Sequence, residues 1–349
     1  MHIMPDSSAA ACDHAAAVQL VRSALCRVLG RVGIKAEGSV EGWLRVAPRG
    51  EQAAWDIPVD YPGTFALVHL AQHARPPGRH MHEQCAAELA GRLAGLAEQS
   101  RASIQRAAVG PCPAWRLDLA PPQWHLQEGC ARALRHAIRA SGENAHVAVV
   151  DWEEADRAAY CAACCMLARV WPQMLAEMAV LVRQLCLLDG DGLAAFSDFA
   201  SHGAVYVNRR RLGPGSTGLS TGVRLAETLI HEAAHHRCNA AALTRPFLRG
   251  GAERPLVHTP LRPDPRPLGG LFQQLVVLVR SELFYRRVAE HAHPQELAVQ
   301  RRRQRLNSQA RQALATMREH RRALTEHGQD VVAHAEELLL GTSADGWAQ

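Results

Sequence analysis

The sequence predicts a mainly α-helical protein with a small β component, and three observations carry that expectation. Alanine and leucine are abundant while only 6 Phe and 4 Tyr occur in 349 residues, a balance that favours helices over sheets. Long stretches run without Gly or Pro and place apolar residues at steps of three and four, the spacing of a helix with one buried face. Short apolar stretches set among Pro and Gly are confined to a few places, which leaves room for small sheets only.

With 48% hydrophobic and 21% charged residues, the composition is globular and the chain is long enough to bury a substantial core. A formal charge of +5, spread over short clusters, argues against a nucleic-acid partner and is compatible with an anionic small ligand. Residues 1–20 contain Asp6, Asp13 and His14 and no continuous apolar core, so no signal peptide is expected. No stretch of membrane-spanning length is free of charge and Pro. The expectation is a cytoplasmic protein with no membrane partner, whose ten cysteines are reduced thiols. Cys161-Ala-Ala-Cys164-Cys165 holds one C-x-x-C inside a helical run without a second pair, so these read as small buried residues.

In chain order, 15–29 reads as a first helix ended by Gly30, and 42–46, 54–59 and 65–70 as a meander of strands closed by Arg75-Pro-Pro-Gly-Arg79. A long amphipathic helix is expected over 83–108, an irregular Pro-rich connection over 111–122, a helix over 128–140 and a strand over 146–150. Residues 155–188 read as one long helix bent near Pro172, and Asp189-Gly-Asp-Gly192 as the turn that ends it. Residues 204–208 read as a strand and 213–218 as a flexible loop leading into a helix over 223–243. Further helices are expected over 271–288 and 295–340, the last broken at Gly328, with Arg301, Arg302, Arg303 and Arg305 on its solvated face. Texture thus divides the chain into 1–110, a helix, a small meander and a helix; 111–294, which carries the chemistry; and 295–349, a basic amphipathic helical segment.

The chemistry centres on His231-Glu232-Ala233-Ala234-His235, an H-E-x-x-H motif in the run 223–243. Histidines four apart lie one helical turn above each other, so both imidazoles can share one metal ion in a zincin-like arrangement. Leu225, Leu229 and Ile230 precede the motif, which buries the helix and gives the histidines reason to need a common partner. A strand, a loop and then this helix is an order also found in zinc peptidases, where the strand can pair with an extended peptide.

A third metal ligand is needed to complete two histidines. Glu282 on the following helix is the first choice, against the alternative of a pairing with Arg286; His258 and Gln273 are the other candidates. His258-Thr-Pro-Leu-Arg-Pro-Asp-Pro-Arg-Pro267 is held extended by its prolines, which would place Arg262 and Arg266 roughly 12 Å apart on a polyproline-like backbone. Rigid arginines suit a carboxylate. Two chemistries fit this set. In a zinc peptidase Glu232 is the general base that deprotonates a metal-bound water. In a non-haem iron oxygenase the open positions take 2-oxoglutarate and dioxygen, and Arg262 or Arg266 binds the distal carboxylate. A binding module with a structural metal is the third reading.

His231-Glu-Ala-Ala-His235, Thr259-Pro-Leu-Arg-Pro-Asp-Pro-Arg-Pro267, Gly269-Gly-Leu-Phe-Gln273 and Phe284-Tyr-Arg286 together resemble the HExxH-motif peptide-modification protein family of ribosomal peptide pathways. The likeness covers about a quarter of the chain, and the combination of motifs is more specific than either alone. Leu261 stands where the family has Trp and Gln274 where Gly is common. The resemblance implies an Fe(II)- and 2-oxoglutarate-dependent β-hydroxylase acting on a peptide or amino-acid-derived substrate, carrier- or leader-bound. It further implies that His231, His235 and Glu282 hold the iron, Arg262 and Arg266 serve the cosubstrate, and Glu232 orients a ligand or substrate.

Overall fold

The computed structural model describes residues 1–31, 34–38, 43–47, 54–73, 82–141, 145–213, 215, 218–251, 256–259, 262–291 and 296–340, with the backbone alone for 37, 38, 82–87, 140, 141, 259 and 262–264. Of the described residues 68% are helical and 15% strand, as the composition predicts. It forms two compact units, each assembled from separated segments. This interleaving cuts across the consecutive divisions at 110 and 294 that the sequence texture suggests.

One unit comprises His14–Ala158 and Val182–Arg210. Its centre is a sheet in which β4 (Asp118–Ala120), β6 (Gln184–Asp191), β8 (Ala204–Asn208) and β7 (Ala195–Ser197) lie side by side, with β5 (His146–Val150) also on β6. β8 pairs in parallel with β6 on one edge and antiparallel with β7 on the other. Both edges are therefore occupied, and β8 is not the open strand that a zinc peptidase offers to an extended peptide. β1 (Lys35–Gly38), β2 (Trp43–Ala47) and β3 (Trp55–Pro58) form a meander in which β2 and β3 match the strands expected over 42–46 and 54–59, while β1 is not among the expected strands.

Two sequence expectations fail here for the same reason. Residues 65–70 are not a third meander strand but part of α2 (Pro62–His73), which Pro62 opens in the first turn, where a backbone N–H has no intrahelical acceptor. The helix expected over 155–188 is instead α5 (Glu154–Val170), α6 (Pro172–Leu181) and then β6. Leu185-Cys-Leu-Leu188 is fully buried, and an apolar run that short fits a central strand as well as a helix. Asp189-Gly-Asp191 continues β6 against β5 rather than turning, with Gly190 at φ +123° where His146 approaches.

The other unit comprises Met1–Asp13, Ala159–Leu181 and Arg211–Gln349. α7 (Thr221–Thr244), α8 (Leu268–Glu290), α9 (Glu296–Glu319) and α10 (Glu326–Leu340) pack in succession. α7 starts where Ser220 Oγ accepts from Val223 N and passes Ala162 so closely at Gly222 that a Cβ there would lie 3.2 Å from the Ala162 backbone. Leu225, Leu229 and Ile230 of α7, and Leu271, Leu275, Val279 and Leu283 of α8, are buried as expected. β9 (Leu256–Thr259) and β10 (Arg262–Pro267) form an antiparallel hairpin, so the Pro-rich segment is extended but is a strand with a register shift. Between α9 and α10 the break falls at 320–325, and Gly328 lies inside the first turn of α10. No helix among the described residues is long and apolar enough to cross a membrane.

Candidate metal centre

The motif lies in the middle of α7, where the apolar positions on either side of it fix which way the helix faces. His231 and His235 stand one turn apart with ring centroids 5.1 Å from each other and ring planes at 61°. His231 is the outer ring, 47% open to solvent, and His235 the inner, half-buried one. Desolvation first, and then neighbouring His235, Arg211 and Arg302, hold the His231 imidazole well below the usual histidine range. Desolvation lowers His235 too, against a hydrogen bond with Gln273 that raises it. Both shifts favour the neutral ring, which carries the lone pair a metal ligand needs.

Glu232 is buried beside the pair, with Oε1 4.0 Å from His231 Nε2. His235 Nδ1 is 2.7 Å from Gln273 Oε1 on α8. Gln273 Nε2 donates at 2.8 Å to Asn239 Oδ1, back on α7. The amide of Gln273 is thus fully directed, its nitrogen on Asn239 and its oxygen on His235. Gln273 meets the His235 ring at Nδ1, with its amide nitrogen on Asn239.

The structure does not bring Glu282 to the histidines. Its carboxylate is 1% exposed and accepts from Arg286 Nη2 at 2.9 Å and from Arg303 Nε at 3.1 Å. The pairing with Arg286 is the alternative that its spacing allows, and Arg303 completes a two-arginine clamp. Arg302 in turn holds Glu227 through Nε at 3.1 Å and through Nη2, and Tyr285 donates to the same carboxylate at 2.7 Å. Arg302 and Arg303 are half-buried ion-pair partners, not a solvated face; Arg301 and Arg305 are exposed. Sequence spacing does not expose the Glu227–Arg302 pairing, although Glu227, His231, His235 and Asn239 recur at four-residue steps on one stripe of α7.

His258 is exposed on β9, and Arg266 is half-buried on β10, opposite Val257. The backbone of Arg262 pairs with Thr259, while its side chain is outside the described residues. Among the described residues no three His, Cys, Asp or Glu side chains converge to hold a metal ion. The two imidazoles are near enough to share a cation, with no third His, Cys, Asp or Glu donor converging on them among the described residues. No family model matches the chain, and no curated protein matches it.

Proposed function

We propose that the protein is an Fe(II)- and 2-oxoglutarate-dependent oxygenase. Its iron is held by His231 and His235, and its product is a hydroxylated carbon, the β-carbon of a peptide or amino-acid-derived substrate. The observation that carries this reading is the pair of imidazoles one turn apart on a buried helix, the inner ring engaged at Nδ1 and the outer ring open to solvent. A chelating 2-oxo acid adds two oxygen donors to two histidines and leaves positions for water or dioxygen. Glu282 as a further ligand would have to exchange its contacts with Arg286 and Arg303; the two-histidine centre requires no such exchange.

When bound, the metal and 2-oxoglutarate would together with dioxygen supply the oxidation of a C–H bond, one oxygen atom going to the product alcohol and the other to the succinate left when the oxo acid loses carbon dioxide. The chain's own residues provide placement. The two Nε2 atoms fix the cation, and Glu232 offers a carboxylate next to His231 to orient a bound water or substrate group. Arg262 or Arg266 binds the distal carboxylate of the cosubstrate.

Anaerobic titration of the metal-free protein with Fe(II) and 2-oxoglutarate tests this by visible absorption. The expected result is a metal-to-ligand charge-transfer band, weakened by Arg262→Ala or Arg266→Ala, and no band would overturn the assignment. A zinc peptidase is the second reading, favoured by the 4.0 Å approach of Glu232 to His231 Nε2, where a base acting on metal-bound water would stand. Peptide cleavage by the zinc-loaded protein, abolished in Glu232→Gln, would establish it in place of the first.

A further inference from the structure

The group that engages the inner histidine at Nδ1 is itself held by a further side chain. His235 meets Gln273 Oε1 through Nδ1 at 2.7 Å, and Gln273 Nε2 is committed to Asn239 Oδ1 at 2.8 Å. The atom that meets the ring is the amide oxygen, which can only accept, so the imidazole is the donor and Nδ1 carries the proton. The proton on Nδ1 leaves the Nε2 lone pair free. A free imidazole has two nitrogens that compete for the proton, and a ring about its Cβ–Cγ bond has more than one orientation. The Gln273–Asn239 chain removes both freedoms at once. It also ties α8 to the stripe of α7 that bears His231, because Asn239 lies one turn beyond His235 on that stripe.

We infer that Gln273, itself fixed by Asn239, is the positioning residue of the centre: it sets the tautomer and plane of His235 so that Nε2 is presented to the cation shared with His231. This rests on the assignment of His231 and His235 as metal ligands. Hydrogen-bond acceptors behind metal-bound histidines act in this way, and their loss typically costs 10–100-fold in metal affinity. A merely structural role for Gln273 would affect folding without moving the proton on the ring.

The test has one arm without metal and one with it. In the metal-free protein, two-bond proton–nitrogen correlation of the imidazole rings at pH 7 reports which nitrogen of His235 is protonated. The expected state is Nδ1–H in the wild type, with the proton redistributed toward Nε2 in Gln273→Leu. In the second arm, Co(II) is titrated in competition with a chromophoric chelator. Gln273→Leu is expected to weaken Co(II) binding by about 10–100-fold, Asn239→Leu to weaken it less, and Gln273→Glu, which keeps an acceptor on Nδ1, to restore it. Thermal unfolding of each variant confirms that it is folded. An Nε2–H tautomer in the wild type, or Co(II) affinity unchanged in folded Gln273→Leu, would overturn the inference. A wild type that has the Nδ1–H tautomer yet binds no Co(II) would overturn the assignment of the ligands instead.

Discussion

Glu282 shows how much a single carboxylate's partners matter. It is 1% exposed and both its oxygens are held by arginines, so removing it leaves Arg286 and Arg303 without their shared acceptor. Glu282→Ala is therefore expected to lower stability by about 1–3 kcal/mol in urea unfolding while leaving Co(II) affinity within a few-fold of the wild type. A loss of binding as large as that from His231→Ala would reinstate Glu282 as a ligand. Sequence spacing exposes the Glu282–Arg286 pair because the two are four residues apart. It does not expose Arg303, which comes from the next helix and is brought in by tertiary packing. The histidine pair, by contrast, is legible because both residues and the helix that aligns them lie within five positions.

At the scale of elements, α7, α8 and the strand at 204–208 are legible because period and length agree. The failures are the short apolar runs in α2 and β6, whose form is decided by neighbours far away in sequence. The α9–α10 junction is a similar case. Gly328 is not a break but a contact: a Cβ there would lie 2.1 Å from the Phe247 carbonyl oxygen. That oxygen also accepts from Thr325 N at 3.0 Å, so it has little room to retreat. Gly328→Ala is expected to cost about 1–3 kcal/mol, the usual range for overpacking, seen as a lower urea midpoint. An unchanged midpoint would mean that the start of α10 can shift at no cost.

At the scale of the whole molecule, stability should fall on mild acidification. Burial holds His14 and His125 down to about 4, aided at His14 by the charge of Arg183. His14 is hydrogen-bonded to His202 at 3.3 Å, and His125 to Gln184 at 2.9 Å. Since their folded pKa values lie below the unfolded value near 6.5, the unfolded chain takes up protons first as pH drops. Stability is complete above about pH 6.5 and is lost toward pH 4, by at most about 1.4 kcal/mol per pH unit for each ring. Urea midpoints at pH 7.0, 5.5 and 4.5 should decline in that order, and a flat profile would show that the rings protonate in place. Neither this dependence nor the interleaving of the two units is legible in sequence, since burial of His14 and His125 depends on distant segments. The face of α7 away from the histidines has a consequence for ligand capture. At roughly 100° per residue, Arg237 lies about opposite the His231–His235 stripe, and there it is 1% exposed and paired with Asp13, with Glu177, itself bound to Arg280, 3.7 Å from its Nε. Rolling the helix about its axis would strand those buried charges. An arriving cation thus meets a helix whose orientation was already settled during folding, and the entropy of aligning it does not fall on the binding step.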